Sequence, residues 1–164
     1  MDHVGEIGVK KAWDQVGGNN IFLVLGSRKT ATPLATLHPE PVQIFQLWQV
    51  FLDNVNPLVK VVHGPSLQAR IVAGVGDLGH IDPVLEALLF SIYCMSVRSL
   101  SVDDCQALFA AAKDDLLARY DFGCQQALMN CGFLRTNDRE CLTALYIYIV
   151  SLYTFYDLAL ALPY

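Results

Sequence analysis

Between Leu37 and Gln68 the chain reads LHPEPVQIFQLWQVFLDNVNPLVKVVHGPSLQ. Ile44, Phe45, Trp48, Phe51, Leu52 and Val55 recur three and four residues apart, which puts them on one face of a helix. Pro39 and Pro41 suit the start of that helix, because a first-turn residue has no intrahelical use for its N–H. The spacing predicts a helix over 41–54, ended by Asn56–Pro57. A second helix is expected after Gly64–Pro65, carrying Leu67, Ile71, Val72 and Val75 and running out in the glycines that follow. Two amphipathic helices in succession, with no alternating apolar run, point to helix-on-helix packing.

Working outward, Asp82–Pro83 supplies an N-cap and a first-position proline for a third helix. From Val84 to Val97 that helix is apolar on nearly all sides, so it is expected to be central and buried. Ser101 with Asp104 resembles a capping box and predicts one long helix through about Cys131, striped by Cys105, Leu108, Phe109, Ala112, Leu116 and Tyr120. Gly123 is a candidate kink in it. Asn137 with Glu140 marks the last helix, which runs from Cys141 to Leu162. The fold class is therefore all-α: a compact helical bundle of about five helices. Residues 1–36, with Gly5, Gly8, Gly17, Gly18 and Gly26, are expected to form an irregular N-terminal arm, and 37–164 the helical domain. Within the arm, Ile21–Leu25 reads equally as a short strand or as an apolar anchor.

The chain has 164 residues, of which 54% are hydrophobic and 16% charged, against about 25% charged in an average soluble domain. Its mean hydropathy is +0.37. A pocket, an oligomer interface or a membrane contact would each account for that excess. The net charge is −5 and the isoelectric point about 5.2. Basic residues are scattered, with Lys10–Lys11 and Arg28–Lys29 as adjacent pairs. An acidic chain without a basic face repels phosphates, which argues against direct nucleic-acid binding. The five cysteines are odd in number and make no C-x-x-C pair. With no apolar leader at the N-terminus, reduced thiols in an intracellular, cytoplasmic or nuclear protein fit best. Leu142–Leu162 is long enough to span a bilayer. However, Thr143, Ser151 and Thr154 interrupt it and no Lys or Arg anchors its far end, so a span is not expected.

Motifs that carry chemistry are sparse. Gly74, Gly76 and Gly79 spell G-x-G-x-x-G, but no strand precedes them and Asp77 would face a phosphate, so an interhelical turn is the reading. His3, His38, His63, His80 and the cysteines lack the close pairing of a structural zinc site. Neither a metal nor a cofactor is expected, and no hydrolase or phosphate-loop signature is present. Asp53 to Pro57 reads first as a turn, with a ligand-facing Asp53 or Asn56 as the secondary reading. Tyr146, Tyr148, Tyr153, Phe155 and Tyr156 on the last helix suit the wall of an apolar pocket, since buried phenols need hydroxyl partners. Asp157 is the lone charge after Glu140, and would be a site candidate if buried.

The opening stretch, together with LEALLFSIYCMSVRSLSVDDCQALF (Leu85–Phe109) and LLARYDFGCQQALMNCGFLRTNDRE (Leu116–Glu140), resembles the fungal-specific transcription factor domain. This is the middle homology region behind the zinc cluster of many fungal activators. The resemblance implies an all-helical regulatory module, in some members sensing a small molecule, with no catalytic residues to transfer. No zinc cluster precedes the match and the chain stops at Tyr164, where the family usually continues through further helices, so a truncated regulatory module is expected. Ala110–Ala111 stand where the family often shows Gly–Glu, and Cys141–Leu142–Thr143 replace a more usual Leu–Gln-containing run. The function expected is a non-DNA-binding module that takes an apolar small molecule or a partner chain, with a homodimer burying the last helix. Ligand-binding candidates are Trp48, Phe51, Asp53, Tyr93, Tyr146, Tyr153 and Tyr156. The alternative is a cofactor-independent cyclase or pericyclase acting on a terpenoid or polyketide. In that case Tyr93, Tyr153 and Asp157 would be the catalytic candidates, a tyrosine hydroxyl polarising a carbonyl.

Overall fold

The computed structural model describes residues 33–161, with side chains as far as Thr154. Most of the expected arm, including Ile21–Leu25, lies outside the described residues, as do the side chains of Phe155, Tyr156 and Asp157. The described residues form helices and turns with no strand, as the pattern of apolar spacing requires.

After a 3-10 turn at Leu34–Leu37 come α1 (Pro41–Val50), a π-helical turn (Phe51–Val55) and α2 (Asn56–Val59). Next are α3 (Gly64–Val75) and a second 3-10 turn (Leu78–His80). The remainder is α4 (Pro83–Ser99), α5 (Val102–Phe109), α6 (Lys113–Asn130) and α7 (Arg139–Ala161). Helix α4 is the axis of the bundle. It packs along α6 and α7, and α1 with the π-turn closes a further side. Every residue from Leu85 to Val97 except Met95 is buried, so the all-round apolar pattern of this segment does mark the centre.

Asp82 caps α4 as its sequence suggests: its Oδ2 accepts from the Leu85 N–H at 3.0 Å, with Pro83 in the first turn. Ser101 likewise accepts from the Asp104 N–H at 3.1 Å and opens α5.

Three expectations need correction. Asn56–Pro57 does not stop the first helix, because Pro57 occupies the first turn of α2, where a missing N–H costs nothing. The chain turns instead at Lys60, which adopts a left-handed conformation at φ 49°. The single long helix over 101–131 is two, because Ala110 sits in the left-handed region at φ 51° and ends α5. Finally, Asp138 rather than Asn137 caps α7; its Oδ1 accepts from Glu140 N–H at 2.8 Å and Cys141 N–H at 3.1 Å.

Gly123 does not break α6. It allows close approach: a Cβ there would lie 2.7 Å from Cδ1 and 3.0 Å from Cζ of Phe90. That ring cannot swing aside, since His38 and Tyr93 pack on it with centroids at 4.5 and 5.4 Å. Helix α6 ends in a Schellman turn, in which Phe133 N–H donates to Leu128 C=O and Gly132 N–H to Met129 C=O. Gly132 takes the left-handed position at φ 68°.

One buried ion pair ties three helices. Arg98 on α4 makes a two-pronged contact with Asp121 on α6, at 3.0 and 2.9 Å, and its Nη1 also donates to Ser151 Oγ on α7 at 3.4 Å. Burial alone would lower the Arg98 pKa; the Asp121 pair outweighs it and the net shift is upward. Lys113 donates to the carbonyls of Arg98 and Leu100 and so closes the C-terminal end of α4.

Two stability measurements test this packing. Gly123→Ala should lower the unfolding free energy by about 1–2 kcal/mol in urea titration, although alanine favours a helix by roughly 1 kcal/mol. A more stable variant would mean that Phe90 can yield. Ala110→Gly should raise stability by about 1 kcal/mol, because glycine removes the left-handed penalty at an exposed turn. A loss at that position would contradict the strain.

Candidate functional site

Four places combine unusual chemistry or exposure, and the sequence-derived candidates fall among them unevenly. The first is internal. His38, in the LHPEP segment, is buried with Nδ1 3.0 Å from the Tyr93 hydroxyl and Nε2 3.2 Å from Glu86 Oε1. With Tyr93 donating into Nδ1, the Nε2–H donates to Glu86 and all three groups are satisfied. Burial pushes the Tyr93 phenol well above its ordinary pKa, helped by Tyr120 and by the Glu86 charge, so it stays a neutral donor. Arg119 straps the same segment from outside, donating to the carbonyls of Leu37, His38 and Thr36 at 2.8, 2.8 and 3.4 Å. The arrangement fastens residues 36–38 to α4 and α6. The sequence presents His38 only as a histidine without a paired metal ligand, and does not single out Glu86. The available signal was Glu86, the one charge within the apolar run 84–97.

The second place is an open groove of about 780 Å³ between the π-turn and α3, lined by Leu52, Asn56, Gly64, Pro65, Gln68, Ala69 and Val72. Asn56 Oδ1 is buried and has no hydrogen-bond partner among the described residues. Trp48 and Phe51 stack in the core beside this groove, centroids 5.8 Å apart and planes 13° from parallel. Neither is among its lining residues, although Trp48 Nε1 reaches Gln68 at 3.5 Å. Asp53 is exposed and accepts from Gln49 Nε2 at 2.9 Å, a contact within its own helical turn.

The third is the face of α7. Leu142, Tyr146, Ile149 and Tyr153 are 45, 50, 37 and 65% exposed, a continuous apolar ridge with spacings of four, three and four. The opposite face, with Cys141, Ala144, Ile147, Tyr148, Ser151 and Leu152, is buried in the bundle. Tyr148 points inward, where its hydroxyl accepts from Gln125 Nε2 at 3.0 Å. Burial raises its pKa strongly, with the Asp121 charge adding to the shift. The fourth is the thiol contact between Cys131 and Cys141 at the α6–α7 turn.

The structure thus separates the candidates. Tyr93 is inside the bundle, Trp48 and Phe51 are in the core near the groove, and Tyr146 and Tyr153 are outside on α7. None of these lines the groove; of the residues the sequence offered as ligand-facing, Asn56 alone does. Tyr156 and Asp157 have no described side chains. The geometry therefore gives no support to a cyclase cavity built around Tyr93 and Tyr153. Among the described residues, no three His, Cys, Asp or Glu side chains gather where a metal ion would sit. Nor is any helix among them long and apolar enough to cross a membrane. Of the GVGDLG glycines, Gly74 sits in the last turn of α3, and Gly76 and Gly79 lie in the connection to α4, where His80 Nδ1 is 2.9 Å from Asp77 Oδ2.

No protein-family model matches the chain, and no solved structure matches it significantly. Curated proteins do. The chain is 52% identical over 153 residues to the transcriptional regulator AacuB of Aspergillus aculeatus, covering 92% of this chain and 21% of that protein. It is 47% identical over 154 residues to the transcriptional regulator nsrM of Aspergillus novofumigatus, covering 88% and 21%. The C6 finger domain transcription factor adaR of Aspergillus niger is 34% identical over 133 residues, covering 79% and 17%. The chain spans about a fifth of the length of these relatives. Identity of this order across most of the chain reflects common descent, and the all-α architecture agrees with the resemblance found in the sequence. The chain is therefore homologous to one region, about a fifth of the length, of fungal C6 zinc-cluster transcription factors.

Proposed function

We propose that this chain is a regulatory module of fungal transcription that works by protein contact, without reading DNA itself. Its working domain is taken as residues 37–164, and its place of action as the nucleus or cytoplasm. The observation that carries the reading is the exposed ridge of Leu142, Tyr146, Ile149 and Tyr153. Four apolar side chains at heptad-like spacing form a seam that a second helix can cover. Helix α7 has 23 residues, so it runs about 34 Å. Two such helices laid face to face bury the same patch on each, as an isologous dimer requires. A second copy of the chain is therefore the proposed occupant. The acidic balance and the scattered basic residues support the absence of a DNA contact.

A second reading has its own observation. The groove between the π-turn and α3 presents Leu52, Pro65, Ala69 and Val72 as apolar walls beside the unpartnered Asn56 oxygen. A small apolar molecule carrying one hydroxyl or amide donor fits that chemistry. Nothing in the geometry favours catalysis over binding there.

Light scattering after gel filtration tests the first reading. The chain should elute at twice its 18.1 kDa, and Tyr146→Glu with Ile149→Glu should return it to a monomer of unchanged helicity by circular dichroism. A monomeric parent at micromolar concentration would overturn the dimer. For the groove, titration with an apolar fluorescent probe should saturate, and Val72→Arg should weaken binding by about tenfold or more, roughly 1.4 kcal/mol. Unchanged affinity in that variant would remove the groove from consideration.

A further inference from the structure

Four of the five cysteines face one another in two pairs. Cys94 on α4 and Cys124 on α6 are neighbours and wholly buried, and burial followed by the Cys124 thiol pushes the Cys94 thiol up. Cys131 and Cys141 are different. Cys131 is the C-cap of α6 and is only partly buried, whereas Cys141 is buried in the first turn of α7. Their Sγ atoms are 2.6 Å apart, about 0.5 Å from the length of a covalent S–S bond. Both ends of the intervening turn are fixed. The Schellman turn at Gly132 sets the direction of the chain after Cys131, and the Asp138 cap holds the Cys141 backbone N–H. Neither sulfur has to be carried far by backbone motion, which is the usual obstacle to forming a disulfide.

We infer that Cys131 and Cys141 form a reversible disulfide latch across the α6–α7 turn, exchanging with disulfides of the glutathione class. The Cys131 thiolate attacks one sulfur of oxidised glutathione, whose S–S bond breaks to release one glutathione thiolate. The Cys141 thiolate then attacks Cys131 Sγ in the mixed disulfide and expels the second glutathione. The two thiol protons go to the two departing glutathiones. The pair of electrons released by the protein thiols reduces the glutathione disulfide, so the exchange balances.

The exposure pattern sets the order of events. An oxidant reaches Cys131 from the turn, and Cys141 lies behind it as the resolving thiol. Burial, followed by the hydrogen bond to Cys141, pushes the Cys131 thiol up to about 12. The reactive thiolate is then scarce, and the latch follows the ambient thiol balance slowly instead of answering a brief pulse of oxidant. Cys94 and Cys124 have no comparable opening to solvent and stay reduced. Cys141 immediately precedes Leu142, the first residue of the apolar ridge, so the latch fixes where that ridge begins relative to α6. The bond is intrachain, and the inference stands whether or not the ridge holds a second copy.

The test is equilibration of the full chain with graded ratios of reduced to oxidised glutathione, followed by acid quench and intact mass measurement. The expected result is a loss of about 2 Da per chain, reversed by dithiothreitol, with fragmentation placing the link at Cys131 and Cys141. Cys124→Ser should keep the loss and Cys131→Ser should abolish it. Three outcomes overturn the inference: five alkylatable thiols at the most oxidising ratio, a glutathione adduct that never resolves, or a link through Cys124. The primary measurement is made on the unaltered chain, so it decides the matter even where a substituted chain misfolds.

Discussion

Helix α4 is apolar on almost every side, and that single property constrains the remainder of the described structure. A helix buried all round must be covered all round, because each exposed leucine or phenylalanine would forfeit roughly 1.5–3 kcal/mol of burial. Helices α6 and α7 cover two sides, and α1 with the π-turn covers another. The cover is close enough to require Gly123 opposite Phe90. It also forces the polar groups on α4 into partnerships: Glu86 with His38, Arg98 with Asp121, and Ser96 Oγ with the Leu47 carbonyl at 2.9 Å. A buried pair of this kind adds little net stability against an apolar substitute, but breaking one half leaves a charge without compensation. Such pairs fix the register of the helices around α4 more than they strengthen the bundle.

Satisfying the interior leaves the exterior uneven. Helix α7 turns one apolar face inward and still shows a second outward, with Tyr146 and Tyr153 among its most exposed residues. In relatives about five times longer, this region is one part of a larger protein. The outward apolar ridge is the surface on which the proposed second copy would dock. The groove beside the π-turn is separate from the ridge and presents a different chemistry. The turn joining α6 to α7 connects ridge and core, and it is also where two thiols meet.

Most helices were readable because their start signals are local. Asp82–Pro83 and Ser101–Asp104 each place a side-chain acceptor near backbone N–H groups that otherwise lack partners, and both caps form as their spacing implies. Stops were harder. Asn56–Pro57 looks like a terminus, yet proline is comfortable in a first turn and the chain continues through a π-turn into α2. Ala110 carries no signal of a left-handed turn, because alanine is a strong helix former and only tertiary packing selects that conformation. The site candidates suffered from the same limit. Aromatic residues at helical spacing announce a face but not its direction, so Tyr148 went inward while Tyr146 and Tyr153 went outward.

The amino-acid order alone was enough to make the chain all-α, to put residues 84–97 at its axis, and to tie it to one region of fungal transcription regulators. Those properties follow from apolar periodicity, capping residues and residue identity, all of which are local in the chain. Helix packing settled which side of α7 remains uncovered, how His38 meets Tyr93 and Glu86, and that Cys131 and Cys141 touch. Contacts between residues 48 or 55 positions apart depend on how helices cross, and crossing geometry is set by packing volume at places such as Gly123 and Phe90.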